Sequence, residues 1–268
     1  NFMSLCFFYI IFGVFGLCLG SFANVLIARL PKGQNIAFPA SHCPKCKNTL
    51  KFYHNIPLIS YFMLGGKCAF CKSKISFKYP LIEALGAVLG IFAFYLSTKN
   101  TLGTLTNAEL ISAVFLVLCF IFLLALSAID FKYNAVPESL LIFAYIFAII
   151  ATFSSFDALF SYESPLVISL IFMGAIFIIK SALSAWINRK KSTEIIESMG
   201  EADVIIFGII GALCGVKLGF YAIMLACGLQ LILHFILRKK SKEAPFIPAL
   251  FMGLLGILTA QRFGFFYV

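Results

Sequence analysis

Three aspartates occur in the whole chain, Asp130, Asp157 and Asp203, and two of them border long apolar runs. Asp130 closes such a run in ALSAIDFKYNAVPESL, and Asp203 opens one in ESMGEADVIIFG. Asp157 lies in FSSFDALFSY, between apolar runs, and reads as a solvated loop residue. Two carboxylates that share one proton have a defined chemistry. The ionised one takes a proton from water, and the water attacks an amide carbon. The protonated one polarises the carbonyl and later helps the nitrogen leave. No other catalytic set competes. The histidines are only His42, His54 and His234, no Ser-His or Cys-His set among them is convincing, and His234 lies in an apolar span.

A second group is the pair CPKC and CAFC, carrying Cys43, Cys46, Cys68 and Cys71. Two Cys-x-x-Cys knuckles present four thiolates at the spacing of a tetrahedral zinc site. Residues 47–67 between them form a linker slightly longer than usual. Neighbouring lysines favour thiolates before metal binds. Four thiolates fill the coordination shell and leave no position for water, so the expected role is structural. A redox dithiol pair is the alternative. The other cysteines, Cys6, Cys18, Cys119, Cys214 and Cys227, lie inside apolar segments and read as small buried residues.

These groups must be positioned by membrane helices. The composition is 62% hydrophobic and 12% charged, with mean hydropathy +1.01. Soluble domains are far less apolar and about twice as charged. Eight spans are expected: 2–28, 79–96, 110–129, 139–153, 166–187, 204–216, 218–237 and 246–260. Only Lys217 marks the break between the sixth and seventh, and Gly208, Gly211 and Gly215 in the sixth permit close helix packing. No internal repeat is evident. Between Arg29 and Lys78 there are nine basic residues and no Asp or Glu, which places that loop in the cytoplasm. Alternation then puts every other basic cluster on the same side, both termini outside, and Asp130 and Asp203 at the cytoplasmic face. The net charge of +10 is therefore a topology signal, and no nucleic-acid partner is expected. The first span ends at Arg29 like a stop-transfer segment and reads as retained. Lys180, inside the fifth span, either snorkels or lines a polar interior.

Each carboxylate also has a plain structural reading. Asp203 at a helix start is favoured by the dipole and can cap free N–H groups. Asp130 follows a helix, where the dipole disfavours it. Intramembrane ionisable residues are otherwise functional candidates.

The residues SMGEAD, ahead of an apolar helix, resemble the GxGD motif of membrane aspartyl peptidases. Asp130 with FKYNAVPESL resembles the other catalytic segment of the bacterial type IV prepilin peptidases. GSFANVLIARLP, NIPLISYFMLGGKC, ISFKYPLIEALGA and PFIPAL resemble further segments of that family, in order along the chain. The resemblance implies catalytic roles for Asp130 and Asp203, and positioning roles for Gly200 and Ala202. Ala202 stands where the motif has its second glycine, so either the backbone there is ordinary or activity is tuned. Glu201 is an extra carboxylate beside the motif. Asn24, Arg29 and Glu83 match the N-terminal motifs; their plain readings are a packing amide, a topology anchor and an acid near a helix start. The resemblance also implies N-methylation of the new N-terminus with S-adenosylmethionine, although no GxGxxG or βαβ pattern marks a methyl-donor site.

The expectation is an all-α polytopic protein of the bacterial inner membrane with a zinc-ribbon-like cytoplasmic loop. Residues 1–78 would form a first helix and the methyltransferase-associated loop, and 79–268 the peptidase. Partners would be prepilin or pseudopilin substrates, cut after a glycine just before their own apolar helix, together with membrane lipid. The rival is a non-catalytic assembly or transport protein whose zinc loop is a docking element and whose aspartates cap helices or bind a cation. A third reading, an acyl- or phosphotransferase, lacks its phosphate loop or carboxylate metal cluster.

Overall fold

Helices built from long apolar runs dominate the computed structural model, which describes residues 2–98, 105–153, 164–189, 200–237 and 245–265. They are α1 (Phe2–Arg29), α2 (Ile59–Met63), α3 (Lys78–Ser97), α4 (Asn107–Tyr133), α5 (Glu138–Thr152), α6 (Pro165–Asn188), α7 (Glu201–Leu237) and α8 (Ile247–Arg262). Among the described residues there is no strand, only two isolated β-bridges. Lys99, Asp157, Lys190, Lys191, the Ser198–Met199 part of the motif and the basic cluster Arg238–Lys242 lie outside the described residues.

Five helices, α1, α3, α4, α6 and α7, are long and apolar enough to cross a bilayer, and α5 and α8 are shorter apolar helices. α7 is too long for one crossing. Its 37 residues would extend about 55 Å, against a hydrocarbon core of about 30 Å. It is broken at Gly215, where φ 73° and ψ −176° leave helical space. Counting its two halves separately yields the eight expected apolar segments of a multi-pass membrane protein. The break falls at Gly215, not at Lys217 as the charge pattern indicates. The left-handed φ is open to glycine, whereas a lysine pays a Cβ clash there.

The chain forms two compact units, 1–121 and 122–268. In the first, α1 packs along α3. Glycines face each other at this contact. A Cβ on Gly16 would strike the Gly86 carbonyl, and one on Gly20 would stand 2.9 Å from the Ile82 oxygen. The backbones touch because no side chains separate them. α1 and α3 thus pack together within the first unit. Phe8, Tyr9 and Phe12 close over Phe94 at the far end of the pair.

In the second unit α7 packs against α5, α6 and α8. Gly208 and Gly211 accept Met173 and Phe172 of α6, and Gly253 of α8 lies against Ala222 and Ala226. The Ser169 hydroxyl donates to the Tyr145 hydroxyl at 3.1 Å, joining α6 to α5. The core around the start of α7 and the end of α4 is apolar, with Leu126, Ile129, Ile206, Phe207 and Ile247 all buried.

Candidate active site and metal centre

Asp130 lies in the last turn of α4, 8% exposed, and Asp203 in the first turn of α7, 9% exposed. Two carboxylates so far from water require polar partners. Asp203 Oδ2 accepts the N–H of Gly200 at 3.2 Å. Gly200 precedes α7, so this is the half of a capping box in which the third helical residue reaches back to the cap. Asp130 Oδ2 accepts the N–H of Ile247 at 3.1 Å. Ile247 is the first residue of α8. The end of α4 alone disfavours a carboxylate at Asp130, but a second helix acts on it as well. Asp130 faces the positive end of a different helix, 117 positions along the chain.

Both aspartates thus sit at helix N-termini, and those termini adjoin. Phe207, one turn after Asp203, lies with its ring 6.2 Å from that of Phe246, the neighbour of Ile247. The carboxylate of Asp130 is near enough to act electrostatically on Asp203, and so is the ammonium of Lys180. A buried acid pair with a cation at hand can hold one proton between two oxygens and deprotonate a water.

Gly200, the first motif residue, supplies the N–H that Asp203 accepts, and a Cβ there would stand 3.4 Å from Asp203 Oδ2. Ala202 is within the first turn of α7 and is not among the residues with positive φ. Helical backbone needs no glycine, so the ordinary-backbone alternative holds. Glu201 is exposed while Asp203 is buried, which separates the two acids. The Ile247 N–H leaves no signal in the sequence, since a backbone donor has no residue signature. Ser127, one turn before Asp130 on α4, is buried, and its hydroxyl has no hydrogen-bond partner among the described residues. The i, i+3 spacing from Asp130 is the one signal of it in the sequence.

The four loop cysteines come together in the first unit. Their sulfurs all lie within 4.8 Å of one another, with Cys43 and Cys71 at 3.8 Å and Cys46 and Cys68 at 4.0 Å. Four sulfurs at Zn–S distances of about 2.3 Å have tetrahedral edges of about 3.8 Å. A disulfide would need about 2.0 Å, and all four are free thiols. The donor set therefore fits zinc. The two knuckles are built alike. The N–H of Cys43 bonds the Asn48 carbonyl and that of Lys47 returns to Cys43; the N–H of Cys68 bonds Ser73 and that of Lys72 returns to Cys68. Lys47 and Lys72 are both left-handed, and the bridges His42–Thr49 and Lys67–Lys74 close each turn. In sequence the two turns share only the Cys-x-x-Cys-Lys pattern, and the fold adds the common backbone path.

The backbone N–H groups of Cys46 and Lys45 pull the Cys43 thiol down to about 6. The Ser73 hydroxyl and N–H lower Cys71. Cys46 receives the Asn48 backbone bond, which favours its thiolate, yet burial and the neighbouring thiols push it up to about 11. Without a cation the cluster opposes full ionisation, and a bound dication removes that opposition.

Three further motif residues hold the loop. Arg29 donates to the carbonyls of Asn35, Ile36 and Pro39. Glu83 accepts the Leu58 N–H at 2.8 Å, where Leu58 has φ 59°. Asn24, buried, donates to the Tyr79 carbonyl at 3.1 Å. Their roles exceed a topology anchor or a packing amide: each pins backbone at the edge of the loop.

Two family models match the chain. One, described as Bacterial Peptidase A24 N-terminal domain, covers residues 14–97; the other, Type IV leader peptidase family, covers 117–235. A prepilin leader peptidase/N-methyltransferase of Vibrio cholerae is 31% identical over 251 residues, covering 89% of this chain and 90% of the relative. A type 4 prepilin-like proteins leader peptide-processing enzyme of Escherichia coli is 30% identical, covering 91% and 90%. A prepilin leader peptidase/N-methyltransferase of Pseudomonas aeruginosa is 30% identical, covering 88% and 84%. No solved structure matches.

Proposed function

The chain belongs to the type IV leader peptidase family, and we propose that Asp130 and Asp203 are the acid–base pair with which it cleaves the short leader of prepilins or pseudopilins. The carrying observation is the placing of two buried carboxylates, each on the N–H of a helix terminus, near enough to act on each other. One carboxylate, ionised, accepts a proton from water as the water oxygen adds to the scissile carbonyl carbon. The other, protonated, gives its proton to the carbonyl oxygen. The tetrahedral intermediate then collapses. Its carbon–nitrogen bond breaks as the nitrogen takes back a proton from the first aspartate, and the second recovers its own. Gly200 and the start of α8 orient the pair, and the surrounding Ile and Phe side chains limit competing water.

The positive-inside pattern supports a bacterial inner-membrane enzyme with periplasmic termini and cleavage at the cytoplasmic face. Such a substrate lies beside the bundle with its scissile bond where its own helix leaves the membrane. Cys43, Cys46, Cys68 and Cys71 would hold a zinc ion that cross-links the two knuckles and supplies no reactive position. The names of the relatives pair leader cleavage with N-methylation of the new amine, and this chain carries that second activity as a family member. S-adenosylmethionine is the methyl donor that pairing implies. No strand occurs among the described residues, so they form no βαβ pocket of the dinucleotide type. Residues 1–78 remain the segment assigned to methylation.

The test is cleavage of a co-expressed prepilin-like substrate by wild type, Asp130→Asn and Asp203→Asn, with mass spectrometry of the product N-terminus. Loss of cleavage in both variants, at normal membrane abundance, supports the pair. Cleavage by both would return the aspartates to a capping role and favour the assembly or transport reading. An added methyl on the wild-type product reports the second activity.

A further inference from the structure

Lys180 is a charge placed in the middle of an otherwise apolar helix. α6 has a packed face and a lipid face. Ile168, Ser169 and Phe172 are buried, and Met173, Ile176, Lys180 and Ser184 are half-buried. These residues recur at three- and four-residue steps and form one stripe. The exposed side is Leu170, Ile171, Phe177, Ile178, Ile179, Leu183 and Trp186. Lys180 is therefore on the face that α6 turns to α7, the face carrying the contacts of Ser169 and Met173 with Gly208 and of Phe172 with Gly211. A lysine that only snorkelled to headgroups would occupy the other side.

The register agrees with this placing. From the Met173–Gly208 contact, Lys180 is seven residues toward the end of α6 and Asp203 five toward the start of α7. At 1.5 Å per residue these are displacements of roughly 10 Å and 7 Å. Both run toward the two helix ends that follow each other directly in the chain. The Lys180 ammonium acts electrostatically on Asp203, as expected if the two stand at one level.

We propose that Lys180 is a positioning residue of the peptidase, the counter-charge that lets the Asp130–Asp203 pair keep one negative charge in an apolar site. Two buried carboxylates oppose each other's ionisation, and protonation of both would leave no base for water. A cation within electrostatic reach of Asp203 offsets that opposition. Of the other charged groups on the packed helices, Glu201 of α7 and Glu138 of α5 are exposed, and α8 contributes a backbone N–H rather than a side chain. Asp203 thus draws on a residue 23 positions upstream of it. The inference rests on the aspartates being the catalytic pair.

The experiment compares Lys180→Met and Lys180→Arg with wild type and Asp203→Asn, in membranes reconstituted with a prepilin-like substrate. Met keeps the length and suits an apolar helix, and Arg keeps the charge. The expected result is a fall in kcat of about tenfold or more for Lys180→Met with KM little changed, and recovery to within about threefold in Lys180→Arg. Wild-type turnover in Lys180→Met, with Asp203→Asn inactive, overturns the role of Lys180 while leaving the pair intact. Equal loss in Met and Arg also overturns it, because charge would then not be the cause. Cleavage by Asp203→Asn would instead overturn the aspartate reading and this inference with it.

Discussion

Asp130 accepts the backbone N–H of Ile247 at 3.1 Å, so the carboxylate that ends α4 caps the start of α8. This one bond joins a catalytic candidate to a proline-containing segment near the C-terminus, PFIPAL. It also separates two kinds of substitution. Asn keeps an oxygen that accepts from Ile247 and loses the titrating proton. Ala loses both. Asp130→Asn is expected to abolish cleavage, by about a thousandfold or more, with little change in thermal unfolding in detergent. Asp130→Ala is expected to lose the same activity and a further ~0.5–2 kcal/mol of stability through the missing cap. Parallel activity and melting measurements distinguish the two effects.

Ala202 stands in helical backbone. Restoring the motif glycine, Ala202→Gly, is expected to leave cleavage within about threefold, and to cost about 1 kcal/mol of stability through helix propensity. A large gain in kcat would show that the Cβ itself restrains the substrate, and single-substrate kinetics on the two forms decide the matter.

Gly215 carries φ 73° at the break in α7, and a Cβ there has open space around it. The cost of substitution is therefore backbone strain and not collision. Gly215→Ala and Gly215→Asn are both expected to destabilise by about 1–3 kcal/mol, because φ 73° with ψ −176° is a region essentially reserved to glycine and lies outside the left-handed helical well that Asn tolerates. Unfolding midpoints of the three forms check both losses.

At Gly16 and Gly86 the limit is collision. A Cβ on either meets the other's carbonyl. Gly86→Val is expected to force α1 and α3 apart at a cost of about 1–3 kcal/mol. Limited proteolysis of the loop between them is the readout, with faster cutting expected, since that loop is anchored by Asn24 on α1 and Glu83 on α3.

Zinc is expected at one ion per chain. Cys43→Ser or Cys68→Ser is expected to lower the bound metal severalfold, and a strong chelator is expected to loosen the loop around 43–73 without changing the α7–α8 contact. Metal analysis of the purified protein and hydrogen exchange of the loop measure the two effects. Full zinc retention by both variants would contradict the four-sulfur site.

The helices and their number are legible in the sequence because apolar run length is a local property, and lipid demands it of each span separately. The four cysteines are legible for a similar reason, since metal-ligand spacing lies within two short turns. Asp130 and Asp203 stand out because a carboxylate beside an apolar run is costly wherever it packs. Their partners are not legible. The Ile247 N–H belongs to the backbone and leaves no mark on residue type, and its meeting with Asp130 depends on how α4 and α8 pack. Ala202 reads as an ambiguity because one residue type fits several backbones, and the helix resolves it. Lys180 reads as an anomaly because the run of apolar residues around it does not say which face meets α7. Composition and local spacing determine which residues are chemically expensive. Packing decides which of those residues answer one another, because long-range contacts arise from surfaces assembled after the helices exist.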